Sequence, residues 1–239
     1  MPLEAEPRIL NSNRLLAALP QKEHKRLLPE LELIKLSVAE VLYEPGDTIR
    51  HVYFPNNSTV SLLSELPHRS TIEVGNVGSE GMVGVAIFMG VNTSSHLTIV
   101  QTEGTAMRLK SETLFREINR IGSLHRLLRR YTHSLLTQAS QSAVCNRFHT
   151  VDVRLARWLL MTCDRVGANE YRVTQEFMSN MLGVRREGVN KAANFLQKKE
   201  FISYRRGQIK INDRAGLEAV CCECYRIIKD EGNDYLVKS

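Results

Sequence analysis

Residues 111–165 contain no proline, and their single glycine, Gly122, lies near the start of the stretch. Nothing after Gly122 breaks a helix there, since proline removes a backbone donor and glycine costs about 1 kcal/mol in a helix interior. The spacing of apolar residues predicts one helix over 123–148 and a second over 151–163. Along the first, Leu124, Leu128, Tyr131, Leu135, Gln138, Ser142 and Cys145 alternate steps of four and three, the average period of a coiled-coil seam. A long helix with so narrow a stripe needs a cover. We read it as a dimer helix; the alternative cover is the chain's own barrel. The second helix carries Val151, Leu155, Trp158, Leu159 and Thr162 on one face and opens a further domain.

Upstream the pattern changes. Residues 14–19 and 22–33 have leucines at helical spacing, broken by Pro20 and Pro29. From 38 to 109 come short β-type runs at 41–43, 51–54, 59–63, 71–74, 97–101 and 105–109. They are cut by Pro45-Gly46-Asp47, Pro55-Asn56-Asn57, Pro67-His68 and Gly75-Asn76. Several short strands at close spacing predict a small sandwich or barrel. A length of 239 residues suits two domains, and 43% apolar against 24% charged residues excludes disorder as the main description. The longest apolar or glycine run, residues 82–91, falls short of the ~18 residues of a membrane span. The opening MPLEAEPRIL lacks the basic start and apolar core of a signal peptide, so a cytoplasmic protein is expected, with no membrane partner.

Charge is concentrated late in the chain. Residues 185–214 hold nine basic and three acidic side chains, an excess equal to the +6 of the whole protein. Leading into that region, Thr174 can cap a short helix to Leu182, Gly183 supplies a turn, and a second helix starts near Arg185. On the second helix Val189, Ala192, Ala193 and Leu196 must face a core, which turns Arg186, Glu187, Asn190, Lys191 and Asn194 outward. Those side chains match the donors and acceptors on base edges in a major groove. The following residues, 201–211, read as two strands around Arg205-Arg206-Gly207-Gln208, a hairpin whose arginines suit phosphate. Helix, glycine turn, helix and basic hairpin together read as a winged helix-turn-helix over 174–193 and beyond.

Cysteines 145, 163, 221, 222 and 224 are odd in number and do not form a secreted disulfide framework. Cys221, Cys222 and Cys224 lack paired CxxC elements, and no histidine follows Cys224, so no metal site is expected. No GxSxG, HExxH or nucleotide fingerprint occurs, so no catalytic residues are assigned and an enzyme is not expected.

The stretch Leu182-GVRREGVNK-Lys191 resembles the recognition-helix pattern of the Crp/Fnr family of bacterial transcription regulators, and the resemblance covers nearly the whole chain. It implies an α+β protein: an N-terminal β-roll sensor of double-stranded jelly-roll type (1–118), a long dimerisation helix (119–148) and a C-terminal winged helix-turn-helix (149–239). It also implies base contacts by Arg186, Glu187 and Lys191 and a phosphate near Thr174. Asn190 joins the reading face, with Arg185, Arg205 and Arg206 on phosphate. The partners implied are double-stranded DNA with a near-palindromic operator, a second copy of the chain, and RNA polymerase. Two residues depart from the family pattern: Arg185 replaces a capping Ser or Thr, and Gly188 replaces a Thr.

Cyclic-nucleotide binders of the family carry Gly-Glu in the roll, followed by Arg-Ser or Arg-Ala. By that resemblance Gly78, Ser79, Glu80, Gly81, Ser94 and Ser95 form the candidate effector pocket, with Ser94 where the family has Arg. No Lys or Arg occurs between Arg69 and Arg108, so a cyclic phosphate lacks a cation there. The expected effector is therefore not of cyclic AMP type and its identity is unknown; the alternatives are a cyclic-nucleotide-responsive regulator and a protein-interaction module without DNA readout. The N-terminal cysteines of the iron-sulfur branch are missing. His51, His68 and His96 are the haem-ligand candidates, read more simply as surface residues near turns, and no cofactor is expected.

Overall fold

The computed structural model describes residues 12–65 and 70–237; residues 1–11, 66–69 and 238–239, and with them the turn expected at Pro67-His68 from the sequence, lie outside the described residues. Helices α1 (Arg14–Ala17) and α2 (Gln21–Leu27) lead through a 3-10 turn (Leu28–Glu30) into a roll of two antiparallel sheets. One sheet places β7 (Gly104–Lys110) between β1 (Glu32–Leu36) and β3 (His51–Pro55). The other has the order β2 (Val41–Tyr43), β6 (Leu97–Thr102), β4 (Thr59–Glu65), β5 (Thr71–Val77). Alternation sends Val52 and Phe54 of β3 inward opposite Leu109 and Met107 of β7, where all four are buried. The helix expected over 22–33 is shorter. It stops at Leu27 because Pro29 tightens the next turn, and residues 32–36 leave as strand β1 along β7.

After α3 (Ser111–Ile118) comes the long helix α4 (Ser123–Phe148), with the bounds read from the sequence. Its N-cap is Gly122, which has no side chain to offer. Glu23 of α2 supplies the cap instead, its carboxylate accepting from the N–H groups of Ser123 and Leu124, each at 2.9 Å. Asn13 is a second clamp: fully buried, it caps α1 and donates to the carbonyls of Pro55 and Gly81 at 2.8 and 2.9 Å.

The seam read as a dimer surface belongs to the chain's own interior. Leu124, Leu128 and Tyr131 join the roll core, and the Tyr131 hydroxyl donates to the Met82 carbonyl at 3.0 Å. Gln138 accepts from the Asn76 N–H at 3.1 Å and donates to its carbonyl at 3.0 Å, pairing the helix with β5 as a strand would. An apolar stripe states that a face is covered, and here the roll covers its first part while Cys222 and Cys224 cover Cys145. The exposed stripe lies elsewhere on α4: Arg126, Arg129, His133, Leu136, Ser140, Ala143 and Arg147 also step by three and four, with Val144 and Phe148 beside them.

The last unit contains α5 (Val151–Val166), β8 (Glu170–Arg172), α6 (Gln175–Leu182), α7 (Arg186–Lys198), β9 (Ile202–Arg205), β10 (Gln208–Ile211), α8 (Arg214–Val220) and α9 (Glu223–Val237). Every residue of α5 from 154 to 163 is buried, because the roll, the helix-turn-helix and α9 pack around it. Helix α9 returns along α4, with Glu231 on the His133 ring at 2.9 Å.

The Glu23 cap has a stated pH dependence. Partial burial works against its charge, yet the bonds from Ser123 and Leu124 hold its carboxyl below the ordinary carboxylate range. A lowered folded-state pKa stabilises above the unfolded value and is lost as pH falls through the folded one. Replacing Glu23 by Ala is expected to cost about 1 kcal/mol at neutral pH. In thermal unfolding that difference from wild type should shrink as pH falls below 4; a pH-independent difference excludes the charged cap.

Candidate nucleic-acid interface and roll pocket

Helix α6 starts at Thr174, whose hydroxyl accepts from the Phe177 N–H at 3.1 Å. It ends at Gly183, where φ of +60° favours glycine and where a Cβ would stand 2.9 Å from Ile72 of the roll. Helix α7 follows with Val189, Ala192, Ala193 and Leu196 buried, as the 3.6 period requires. Arg185, Arg186, Glu187, Asn190, Lys191 and Asn194 are exposed. Arg185 occupies the N-cap position and makes no side-chain cap bond, so its guanidinium stays free for another partner at the positive end of the helix. Amides line the outer face: the Asn190 side-chain oxygen accepts from Gln175 at 3.2 Å and Asn194 at 3.3 Å, which leaves the Asn190 amide donors for a base edge.

The wing is a three-stranded sheet in the order β8-β10-β9. Strand β8 escaped the sequence reading because it has only three residues, though Tyr171 and Val173 alternate inward as a strand would. Arg206 and Gly207 turn the hairpin with φ of +51° and +76°, the signs of a type I′ turn, and Arg205 and Arg206 stand exposed at its tip. The Tyr204 hydroxyl donates to the Val173 carbonyl at 3.1 Å, tying the wing to the entry of α6. The sequence-derived DNA residues are all exposed, basic at the wing and mixed on the helix. Thr174 is exposed too, with its hydroxyl accepting the capping bond.

The candidate effector residues have other occupations. Glu80 accepts from the Arg165 Nε of α5 at 2.8 Å, with Glu80 14% and Arg165 11% exposed by side chain, and also from the Gly78 N–H at 3.2 Å. The cation missing from the roll sequence is therefore supplied from 85 residues downstream. Glu80, Ser79 and Arg165 line a cavity of about 70 Å³. Gly81 admits no side chain, since a Cβ would stand 2.4 Å from Tyr131. Ser94 is absent from that cavity. It belongs to the turn at 44–49, accepting from Gly46 N–H at 2.7 Å and bonding His96 through its hydroxyl. Of the haem candidates in the described residues, half-buried His96 has its pKa lowered by desolvation, and that of His51 is lowered by desolvation and the nearby Arg108.

More polar bonds join the roll to α5. Gln101 donates to Thr162 at 2.7 Å, and the Ser61 hydroxyl donates to Glu73 at 2.6 Å with the Gln101 side-chain oxygen 3.1 Å away. Burial raises the Glu73 carboxyl above its ordinary pKa, against the Ser61 bond and the nearby Arg157. At the far end of this contact, Thr71 donates to the Asn180 carbonyl at 3.2 Å, so the helix-turn-helix turn rests on the β4–β5 hairpin.

Comparison with known proteins agrees with this geometry. Residues 153–220 match the Crp-like helix-turn-helix domain. No curated protein matches the chain by sequence. Among solved structures, FixK2 from Bradyrhizobium japonicum superposes with a TM-score of 0.68 at 16% identity, over 80% of this chain and 98% of that one. A CRP-family transcriptional regulator from Thermus thermophilus, TTHB099, gives 0.65 at 19% identity over 78% and 95%. The c-di-GMP-responsive global regulator CLP from Xanthomonas campestris gives 0.63 at 18% over 80% and 99%. The class is a β-roll joined to a winged helix-turn-helix. Residues 153–220 carry a Crp-like helix-turn-helix domain, and the chain as a whole has the fold of these solved regulators.

The wing tip offers a test that separates stability from binding. Arg206 holds a left-handed conformation that asparagine adopts more readily. Arg206→Asn is expected to leave Tm unchanged or raised while lowering the salt slope of DNA affinity by about one phosphate contact. An unchanged slope removes Arg206 from the interface.

Proposed function

We propose that this chain is a transcription regulator of the Crp/Fnr type that binds a near-palindromic DNA site as a homodimer in the cytoplasm. Arg186, Glu187, Asn190 and Lys191 read base edges, and Arg185, Arg205 and Arg206 hold phosphates. One observation carries the reading: α7 buries a purely aliphatic face and presents a mixed basic and amide face beside a basic wing. Thr174 contributes through the position of α6, and its backbone can still approach a phosphate. The exposed stripe of α4 around His133, Leu136, Ser140 and Val144 forms the contact between copies, which sets the two recognition helices about one turn of DNA apart. Contact with RNA polymerase follows from the family resemblance.

The three-part division proposed is a roll through residue 118, a linking helix over 119–148 and a DNA-binding unit from 149. In this arrangement the roll controls the DNA-binding unit through α5. A ligand that takes the Glu80 carboxylate, the corner formed by Gly78, Ser79, Glu80 and Gly81, must release Arg165, and so shifts how the helix-turn-helix sits. Ser94 and Ser95 act in this scheme only as part of the turn near Gly46.

Selection of bound sequences from a random pool, followed by anisotropy titrations, tests the reading. A site with two half-sites is expected, and Arg186→Ala should cost about 1–3 kcal/mol and relax one base position. Affinity should fall by orders of magnitude between ~50 and ~200 mM salt. Affinity that barely responds to salt identifies a protein-interaction module instead.

A further inference from the structure

Four donors from distant parts of the chain meet behind the DNA-binding unit. Cys145 and His149 stand at i and i+4 where α4 ends, and Cys222 and Cys224 flank the start of α9. Their ligand atoms all lie within 4.8 Å of one another. Cys145 Sγ is 3.6 Å from Cys222 Sγ, and Cys224 Sγ is 3.8 Å from His149 Nδ1. We propose that these four residues bind one zinc ion in a closed Cys3His site that staples α9 to the hinge between α4 and α5.

The distances suit one ion. A tetrahedral centre with Zn–S near ~2.3 Å and Zn–N near ~2.0 Å sets its donors roughly 3.5–3.8 Å apart. A cluster of several irons spreads its thiolates farther, and a disulfide needs sulfurs about 2.05 Å apart. The three thiols are buried, at 0%, 8% and 0% exposure for Cys145, Cys222 and Cys224, and His149 is mostly covered, so four protein donors fill the shell without a place for substrate.

Two features around the donors point the same way. The outer ring nitrogen of His149 faces the Glu223 carboxylate at 3.7 Å, the arrangement that orients metal-bound imidazoles. The guanidinium groups of Arg154 and Arg157 are buried within electrostatic reach of Cys145, and the Nε of each has no hydrogen-bond partner among the described residues. Neither forms a salt bridge there; Glu73 acts on Arg157 from a distance on its other side. Neutral thiols give these cations little, whereas a divalent ion held by three thiolates carries a net negative charge beside them. The sequence has no paired CxxC elements and no histidine after Cys224, which pointed away from a metal. The ligand histidine lies upstream, and folding brings it back.

The test uses the full-length protein. Metal content after purification without chelators should approach one zinc per chain. Stripped protein titrated with cobalt(II) should bind one equivalent with thiolate-to-metal charge transfer and the intense visible bands of a tetrahedral centre, and zinc should displace it. Cys224→Ser and His149→Ala should each weaken cobalt binding at least ~10-fold, while Cys221→Ser, next to the set but outside it, should retain it. If a variant misfolds by circular dichroism, the wild-type cobalt spectrum and metal-dependent protection of three thiols from alkylation decide. Cobalt that binds without charge transfer, no cobalt binding, or a Cys145–Cys222 disulfide in protein purified under reducing conditions each overturns the proposal.

Discussion

Helix α5 is the element on which the rest depends. Ten consecutive residues, 154 to 163, are buried in it, and three different surroundings account for that. Leu155 and Leu159 belong to the helix-turn-helix core, Thr162 and Arg165 reach the roll, and α9 closes the remaining side. A helix covered all round cannot shift toward one neighbour without disturbing the others. The roll and helix α7 are therefore joined through one packed body. Beside the apolar contact with Leu63, Leu97 and Ile99, its roll-facing contacts include polar, specific ones: a largely buried ion pair and a chain of amide and hydroxyl bonds that an apolar face alone would lack.

The outward face of α7 was legible because its information is local. Val189, Ala192, Ala193 and Leu196 fix which way α7 turns, and Gly183 and Gly207 fix where the chain reverses, all within a few residues. The roll was legible for the same reason, as turn residues between β-type runs. Strand β1 was hidden because Leu31, Leu33, Ile34 and Leu36 fit either period until their partner β7 is known. The α4 seam was read correctly as a covered face and assigned to the wrong cover. Periodicity describes one surface, and only the fold supplies the other.

The sites written in long-range pairs were not legible. Glu80 was singled out by family resemblance, yet nothing near it announces Arg165, and the absence of Lys and Arg between Arg69 and Arg108 spoke only against a cyclic phosphate. Cys145 and His149 are an i, i+4 pair on a helix end, and Cys222 and Cys224 a short motif 77 residues from Cys145; each half is ordinary by itself. A composition or motif scan weighs local spacing, and these arrangements have none until the helices α4 and α9 lie side by side.

The central claim is that the ion pair at the end of α5 joins the roll to the DNA-binding unit. A double-mutant cycle measures it: Glu80→Gln, Arg165→Met and the pair, each followed by urea unfolding. The structure predicts that the two changes are strongly non-additive, with a coupling of about 1–3 kcal/mol, because the first change already removes the bond the second would break. Additivity to within about 0.5 kcal/mol would contradict it, and would show two domains that touch without holding one another.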